Sequence, residues 1–333
     1  MTDKFRAIVI NQTEKNFTRE IKELDKKFLT EGEVLVKVDF SGLNYKDALI
    51  LNDGGKLVKE FPRIPGIDFA GKVLESSVSE FKKDEEVILT GCRVGEISHG
   101  GYSQIAKVKK EFLVKSPKTI STKQAMILGT AGFTSLLCAF AIKAREEILL
   151  GEKVNEVLVT GATGGVGTVA VMVLSKLGYK VTAVTGKLDQ ADTLKKLGAT
   201  NIIDRKEYEG EPKLLGKGLW DGVVDTVGGN ILAHAISQTK HSGIVAACGN
   251  AGGIKLNTNV MPFILRGVKL WGIDSIQVGM KRRKFIWDQV TNLIDFDILN
   301  KTVKIVSLQE LLEEFPKMLK GQTYGRILVD VNK

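Results

Sequence analysis

The sequence predicts an α/β protein of two domains, and three observations carry that prediction. At 333 residues the chain exceeds the length at which one hydrophobic core usually divides. Its patterning changes near residue 125, from short alternating strands to strands that alternate with helices. The stretch "VLVTGATGGVGTVAVMVLSKLGY" (157–179) runs a β-branched strand through a glycine turn into an apolar helix, the unit from which parallel sheets are assembled.

Taken in order, residues 1 to about 120 read as short strands such as "GEVLVKVDFSGL" (32–43) and "EEVILTG" (85–91), punctuated by Gly and Pro, with few helical stretches. That is the pattern of an irregular β domain. From about 125 to 255 the candidate strands are "VLVTG", "KVTAVTG", "TNIID", "GVVDTVGG" and "GIVAACG", with helices expected at Val166 to Leu177 and Asp189 to Leu197. Such alternation predicts a parallel sheet. The last section combines a helix at Lys281 to Leu293 with a closing strand, "GRILVDV" (325–331). No internal repeat or low-complexity linker interrupts the chain.

Composition excludes several classes. Gln124 to Ile142 and Val157 to Ser175 lack charge, but each carries several Gly and Thr residues, which favours buried elements over membrane spans. The start "MTDKFRAIVI" has no secretory pattern, so a cytoplasmic protein is expected. Cys92, Cys138 and Cys248 are odd in number and far apart, so neither a disulfide framework nor a CxxC zinc site can be drawn. The net charge is +9, but the basic residues fall in scattered pairs beside acids. Only Lys281 to Lys284, "KRRK", forms a block, and it reads as a solvated helix face. No nucleic-acid partner and no membrane are expected.

Gly161, Gly164, Gly165 and Gly167 follow a strand and precede a helix. In that context the turn accepts positive φ, the backbone can approach a pyrophosphate, and the helix N-terminus attracts its charge. Thr163 and Val166 complete the turn. Dinucleotides without a 2′-phosphate usually meet an Asp or Glu at the end of the next strand. Here that place holds Thr185, Gly186 and Lys187. A hydroxyl, a backbone amide and a cation suit a phosphate, so the expected cofactor is NADPH.

"SGLNYKDAL" (41–49), "PGIDFAG" (65–71), "TAGFTSLLC" (130–138), "VTGATGGVG" (159–167), "VDTVGG" (224–229), "AACGNAGG" (246–253), "MPFILRGVKLWGIDS" (261–275) and the closing "GRILV" together resemble the zinc-independent, quinone-oxidoreductase-like branch of the medium-chain dehydrogenase/reductases. More narrowly, the combination resembles the acryloyl-CoA reductase group, over nearly the whole chain. The resemblance implies a GroES-like β domain made from 1–124 and 256–333, with a Rossmann doubly wound parallel-sheet domain at 125–255 binding NADPH. It also implies a homodimer and an acyl-CoA substrate.

Zinc alcohol dehydrogenases of that superfamily carry a Cys in the first of these loops and a His-Glu pair in the second. The corresponding stretches here, "SGLNYKD" and "PGIDFAG", have neither, so no catalytic zinc is expected. Alcohol oxidation without a Lewis acid is hard to support. Conjugate hydride addition to an α,β-unsaturated thioester asks only for hydrogen-bond donors and a proton. The resemblance accordingly implies reduction of acryloyl-CoA to propanoyl-CoA. The candidate catalytic residues are Asn44, as a hydrogen-bonding partner of substrate or cofactor, Tyr45, as donor to the enolate or packed against the nicotinamide, and Asp47, orienting either. Read from the residues alone, "NYKD" is equally a turn with a packed tyrosine.

By resemblance, Arg205 sits over adenine or bonds the 2′-phosphate, an exposed structural arginine being the alternative. Gly249, Asn250 and Ala251, with Ile273 and Ser275, are expected near the nicotinamide. Two departures stand out. Asn250 occupies a place more often apolar in such enzymes, and Lys187 replaces a common arginine, keeping the charge without the planar fork. Two other readings share these features: an NADPH-dependent quinone or enal oxidoreductase, and a non-catalytic NADPH-binding protein.

Overall fold

The computed structural model describes residues 4–14 and 16–333. The chain divides into two compact units. The first contains the residues up to Thr130 with Ser275–Thr291 and Thr302–Lys333, and the second Ala131–Asp274 with Asn292–Lys301.

The first unit begins with an antiparallel hairpin of β1 (Lys4–Gln12) and β2 (Phe17–Asp25). There follow β3 (Val34–Leu43), helix α1 (Tyr45–Asp53), β4 (Asp68–Ser76), β5 (Glu86–Thr90), β6 (Ile105–Val108) and β7 (Val114–Lys115). Helix α2 (Thr122–Ile148) carries the chain into the second unit, with a non-helical Gly129 at φ +52° beside the boundary. Its most apolar window is 89% buried, so Gln124 to Ile142 is a core helix, long and apolar enough to cross a membrane by composition alone.

The second unit continues with β8 (Glu156–Thr160), α3 (Gly165–Lys176), β9 (Lys180–Thr185), α4 (Ala191–Lys196) and β10 (Ala199–Asp204). Then come β11 (Trp220–Asp225), α5 (Gly229–Ser237), β12 (Thr239–Ala247), α6 (Met261–Arg266) and β13 (Lys269–Gly272). Its six strands pair in parallel in the order β10-β9-β8-β11-β12-β13. That is the doubly wound order, which reverses direction between β8 and β11. Val157, Leu158 and Val159 of β8 are fully buried, as are Val169 to Leu174 of α3 but for a trace of Met172. A strand covered on both faces and a helix packed on it need such continuous apolar runs.

The sequence reading closes this domain at 255, and the structure carries it to Asp274. "KLWG" is the sixth strand, too short and too exposed to announce itself by pattern, and its backbone pairs with β12. Residues 292–301 also belong to this unit.

The chain then returns through α7 (Met280–Asp288), α8 (Val290–Leu293), α9 (Phe296–Leu299), β14 (Val303–Val306), α10 (Leu308–Leu319) and β15 (Arg326–Asp330). The expected helix at 281–293 is thus two helices, parted at Gln289. β15 pairs antiparallel with β3, completing the order β14-β15-β3-β4-β5-β7, with β6 also on β3. Helix α10 starts at a Ser307–Glu310 capping box, which satisfies two amides that no helical carbonyl reaches. Leu308, Leu311 and Phe315 form its buried face and join the core of β3, β4 and α1.

The "KRRK" block is not a uniformly solvated face. Lys281, Arg282 and Lys284 are exposed, but Arg283 is 1% exposed. It donates to the Thr90 carbonyl and Oγ1, each at 2.7 Å, and to the carbonyls of Ser275 and Ile276 at 3.3 and 3.2 Å. Helical spacing turned one of four consecutive cations inward, where a guanidinium can satisfy several carbonyls at once.

Candidate active site

In the second unit the expected nucleotide residues gather at the carboxyl ends of the parallel strands. The turn after β8 has Gly161 at φ +59°, where a Cβ would overlap the Thr226 hydroxyl. A Cβ on Gly167 would overlap the Gly161 carbonyl and lie 2.6 Å from Ala162 Cα. These two glycines let α3 dock tightly against the turn. Gly164 caps α3 with no side-chain hydrogen bond. The first-turn amides of Gly165, Val166 and Gly167 have no carbonyl four residues back to bond within the helix. A diphosphate fits such a cradle.

At the end of β9 part of the expected phosphate pocket is tied into the turn itself. Thr185 is 2% exposed. Its hydroxyl bonds Thr163 Oγ1 at 2.9 Å and accepts the Lys187 amide at 3.0 Å. Thr185, Thr163 and the Lys187 backbone therefore shape the turn: the Lys187 amide is spent there, while the pair of hydroxyls keeps one O–H donor. The cationic side chains remain: Arg205, just after β10, packs over Gly186, whose added Cβ would lie 3.2 Å from Arg205 Cζ. Arg205 also pairs with Glu209 at 2.7 Å. Burial and the Arg205 guanidinium hold the Lys187 ammonium below the usual lysine range, against the pull of Asp189. Two cations close enough to repel each other, with no carboxylate ending β9, suit a phosphate dianion.

On the other side of the switch point, Gly249 packs on the Thr226 backbone so closely that a Cβ would overlap it. Asn250 and Ala251 are exposed, and the Asn250 carbonyl closes a turn by accepting the Gly253 amide at 3.0 Å. Ile273 donates its amide to Ala247 at 2.9 Å. Ser275 belongs to the first unit, where its carbonyl accepts from Arg283. The residues missed here are Asp225 and Thr226, at the end of β11. Asp225 is buried, which raises its pKa, and accepts from Thr160 Oγ1 at 2.6 Å and the Gly228 amide at 2.8 Å.

In the first unit, "NYKD" forms the junction of β3 and α1, and its three candidates separate. Asp47 is fully buried and accepts from the Asn44 amide at 3.0 Å, Asn44 Nδ2 at 3.0 Å and the Ile67 amide at 2.9 Å. It is a positioning residue and no catalytic contact. Asn44 Nδ2 donates its second proton to Asp68 at 2.9 Å, and Asn44 Oδ1 accepts from Arg326 Nη1 at 3.0 Å. Both amide protons are thus occupied, which corrects Asn44 as a donor to substrate or cofactor; it retains one Oδ1 lone pair. Tyr45, 37% exposed, keeps a phenol with no hydrogen bond to any described residue.

Asp68 and Arg326 were missed by the sequence reading and hold this junction. Asp68 also accepts the amides of Gly42 at 2.9 Å and Thr130 at 2.8 Å. Arg326, 2% exposed, donates to the carbonyls of Ile127 at 3.0 Å, Leu43 at 3.3 Å and Met126 at 3.4 Å. The available signal was a single charge in each of two apolar strand segments, "IDFAG" and "GRILV", since a buried charge requires a partner. Burial, with the nearby Asp68 carboxylate, pushes the Asp47 carboxyl up to about 7. Burial also lowers the Arg326 pKa, against the pull of both carboxylates. With Asp47 protonated, one guanidinium balances one carboxylate. Tyr102, whose hydroxyl donates to the Gly42 carbonyl at 3.0 Å, has its pKa raised by burial and by the Asp47 and Asp68 carboxylates.

Metal-ligating types do not converge: among the described residues no group of three or more His, Cys, Asp or Glu could hold an ion. Cys92 packs half-buried against the core.

Two family models match the chain, one described as the alcohol dehydrogenase GroES-like domain over residues 30–118 and one as zinc-binding dehydrogenase over 165–294. An acrylyl-CoA reductase of Ruegeria pomeroyi is 44% identical over 98% of this chain and 99% of its own. The yhdH oxidoreductase of Salmonella enterica, solved in complex with NADP, superimposes with a TM-score of 0.93 at 41% identity, covering 98% of this chain and 99% of that one. The yhfP protein of Bacillus subtilis, solved with NAD bound, does so at 0.92 and 39%, covering 99% and 100%.

Proposed function

Because the chain belongs to the medium-chain dehydrogenase/reductases, in their quinone-oxidoreductase-like branch with the acrylyl-CoA reductases, we propose that it reduces acryloyl-CoA to propanoyl-CoA with NADPH. The observation that carries this reading is the full-length identity to the Ruegeria pomeroyi reductase. The cofactor site agrees with it, since β9 is followed by Lys187, with Arg205 of the next strand's end over Gly186, where an NAD site would place a carboxylate.

Bound NADPH supplies the hydride that adds to the β-carbon. The amides of Gly165, Val166 and Gly167 hold the pyrophosphate, and Lys187 with Arg205 holds the 2′-phosphate. The Tyr45 phenol donates to the oxygen of the developing enolate. The buried network of Asp47, Asn44, Asp68 and Arg326 fixes the backbone that presents Tyr45, so its position does not relax during the reaction.

The enzyme acts as a homodimer in the cytoplasm. Support for the dimer comes from β13, an edge strand with Leu270 and Trp271 each 39% exposed, beside Ile264 of α6 at 68%. Such an edge normally has a cover. Support for the compartment comes from three free thiols, one of them fully buried.

The reading is tested by following NADPH absorbance with acryloyl-CoA, acrylate, crotonyl-CoA and a simple quinone in parallel. Fast oxidation with acryloyl-CoA is expected. Turnover with the quinone alone would make the protein a quinone oxidoreductase, and tight NADPH binding without turnover of any of the four would make it a binding protein.

A further inference from the structure

The first unit also holds a cavity of about 210 Å³ whose lining includes Arg63, Ser98, His99 and Lys107, with Glu60 and Glu31 exposed at its rim. Three of its lining side chains, Arg63, His99 and Lys107, carry N–H donors. Arg63, 7% exposed, has a buried Nε that bonds no described residue, and the buried Ser98 Oγ likewise has no partner. His99 Nδ1 accepts the Ile64 amide at 3.2 Å, so the proton of the neutral ring sits on Nε2, which bonds no described residue. The imidazole is held in place by the Phe28 ring, 4.9 Å between centroids.

The acids are weak competitors for these donors. Glu60 reaches Arg63 Nη2 at 3.4 Å, but its side chain is 86% exposed while that of Arg63 is 9% exposed, so solvent screens the pair. A water accepts at most two hydrogen bonds and must donate the others, and is poorly matched to several donors lining one cavity. A tetrahedral oxyanion accepts from all of them. Arg and Lys side chains recur where phosphates bind. From this geometry we infer that the cavity defined by Arg63, Ser98, His99 and Lys107 is a phosphate-binding site, separate from the nucleotide turn.

His99 also reports on the site. Burial and the Arg63 guanidinium lower its pKa to about 4, with Lys107, Glu60 and Glu31 the other charged groups lining the cavity. A phosphate dianion beside the ring favours the imidazolium, so binding raises that value.

The test follows the His99 ring resonances by NMR across a pH series, with inorganic phosphate, acetate, CoA and dephospho-CoA as separate additions. His234 and His241 serve as internal controls. Phosphate is expected to raise the His99 pKa by about one unit or more, equivalent to about tenfold tighter binding to the protonated ring. Ser98→Ala, which removes one donor and little volume, is expected to weaken phosphate about three- to tenfold. An Arg63 variant that fails to fold would leave that test intact.

If CoA shifts His99 and dephospho-CoA does not, the phosphate is the 3′-phosphate of that ligand; if only inorganic phosphate acts, the source is free phosphate. An equal response to acetate, an unchanged Ser98→Ala affinity, or no response to any phosphate at millimolar concentration would overturn the inference and leave the donors to water.

Discussion

Among the three candidates at the β3–α1 junction, Tyr45 alone keeps a donor available, and that difference sets what each substitution should do. If the phenol supplies the proton, Tyr45→Phe lowers kcat by about 10² to 10⁴ with NADPH affinity unchanged. A loss under about tenfold in single-turnover measurements would reduce Tyr45 to a positioning role. In the nucleotide domain, Lys187→Ala removes one charge-assisted contact, a loss of about 1.5 to 3 kcal/mol. NADPH should then bind roughly 10 to 150-fold more weakly, with NADH nearly unaffected. Equal weakening of both in fluorescence titrations would remove Lys187 from the 2′-phosphate site. Asp47 carries a pH signature. Its carboxyl is raised to about 7 in the folded chain by burial and by Asp68, while the unfolded chain ionises near the ordinary carboxylate value, about 4. Between those values the folded state holds the extra proton, so the Asp47 contribution to stability is full at low pH and is lost as pH rises through 7. The Tm of the parent minus that of Asp47→Asn should therefore fall as pH is raised from about 4 to about 8. A difference constant across that range would mean that Asp47 stays ionised throughout.

At the scale of elements, buried polar side chains fix where pieces of the first unit meet. Arg326 of β15 bonds the last residues of β3, the Asn44 cap of α1 and the carbonyls of Met126 and Ile127 in α2. Strand pairing alone cannot set that register so firmly, because its hydrogen bonds repeat along the ladder. Arg283 does the same for α7. Through Thr90, Ser275 and Ile276 it ties the helix to the end of β5 and to the segment just before the helix. Its removal strips the donor from the buried Thr90 carbonyl and hydroxyl and from two half-buried carbonyls, and an unsatisfied buried group costs about 1–3 kcal/mol. Arg283→Met is thus expected to destabilise by about 3 kcal/mol or more, whereas Arg282→Ala, one position earlier and exposed, should stay within about 0.5 kcal/mol. Chemical denaturation of the two variants distinguishes a buried anchor from a solvated basic face. Equal, small effects would return Arg283 to the solvent.

For the whole molecule, what the sequence disclosed depended on whether the cause was local. The glycine turn and the strand-helix alternation after it are short-range patterns, so β8 to β12 and the nucleotide turn were legible from residue types alone. The partners of Asp68, 258 positions before Arg326 in the numbering, and the inward turn of Arg283 depend on tertiary neighbours that no local pattern encodes. The occupancy of Asn44 by those neighbours was hidden for the same reason. β13 was missed because four half-exposed residues carry no period, and that exposure has a further consequence. It ends the six-stranded sheet with unpaired backbone groups beside Leu270, Trp271, Ile264 and Leu265 of α6. A second copy related by a two-fold axis brings the same strand antiparallel to itself, so β13 can satisfy its own edge while α6 covers the apolar side chains around it. Sedimentation should therefore give about twice the chain mass of 36.4 kDa. The double variant Ile264→Glu with Trp271→Glu places four like charges across the axis and should sediment as a monomer that still binds NADPH. A variant that remains dimeric would locate the interface elsewhere, and a monomeric parent would leave β13 as an exposed edge.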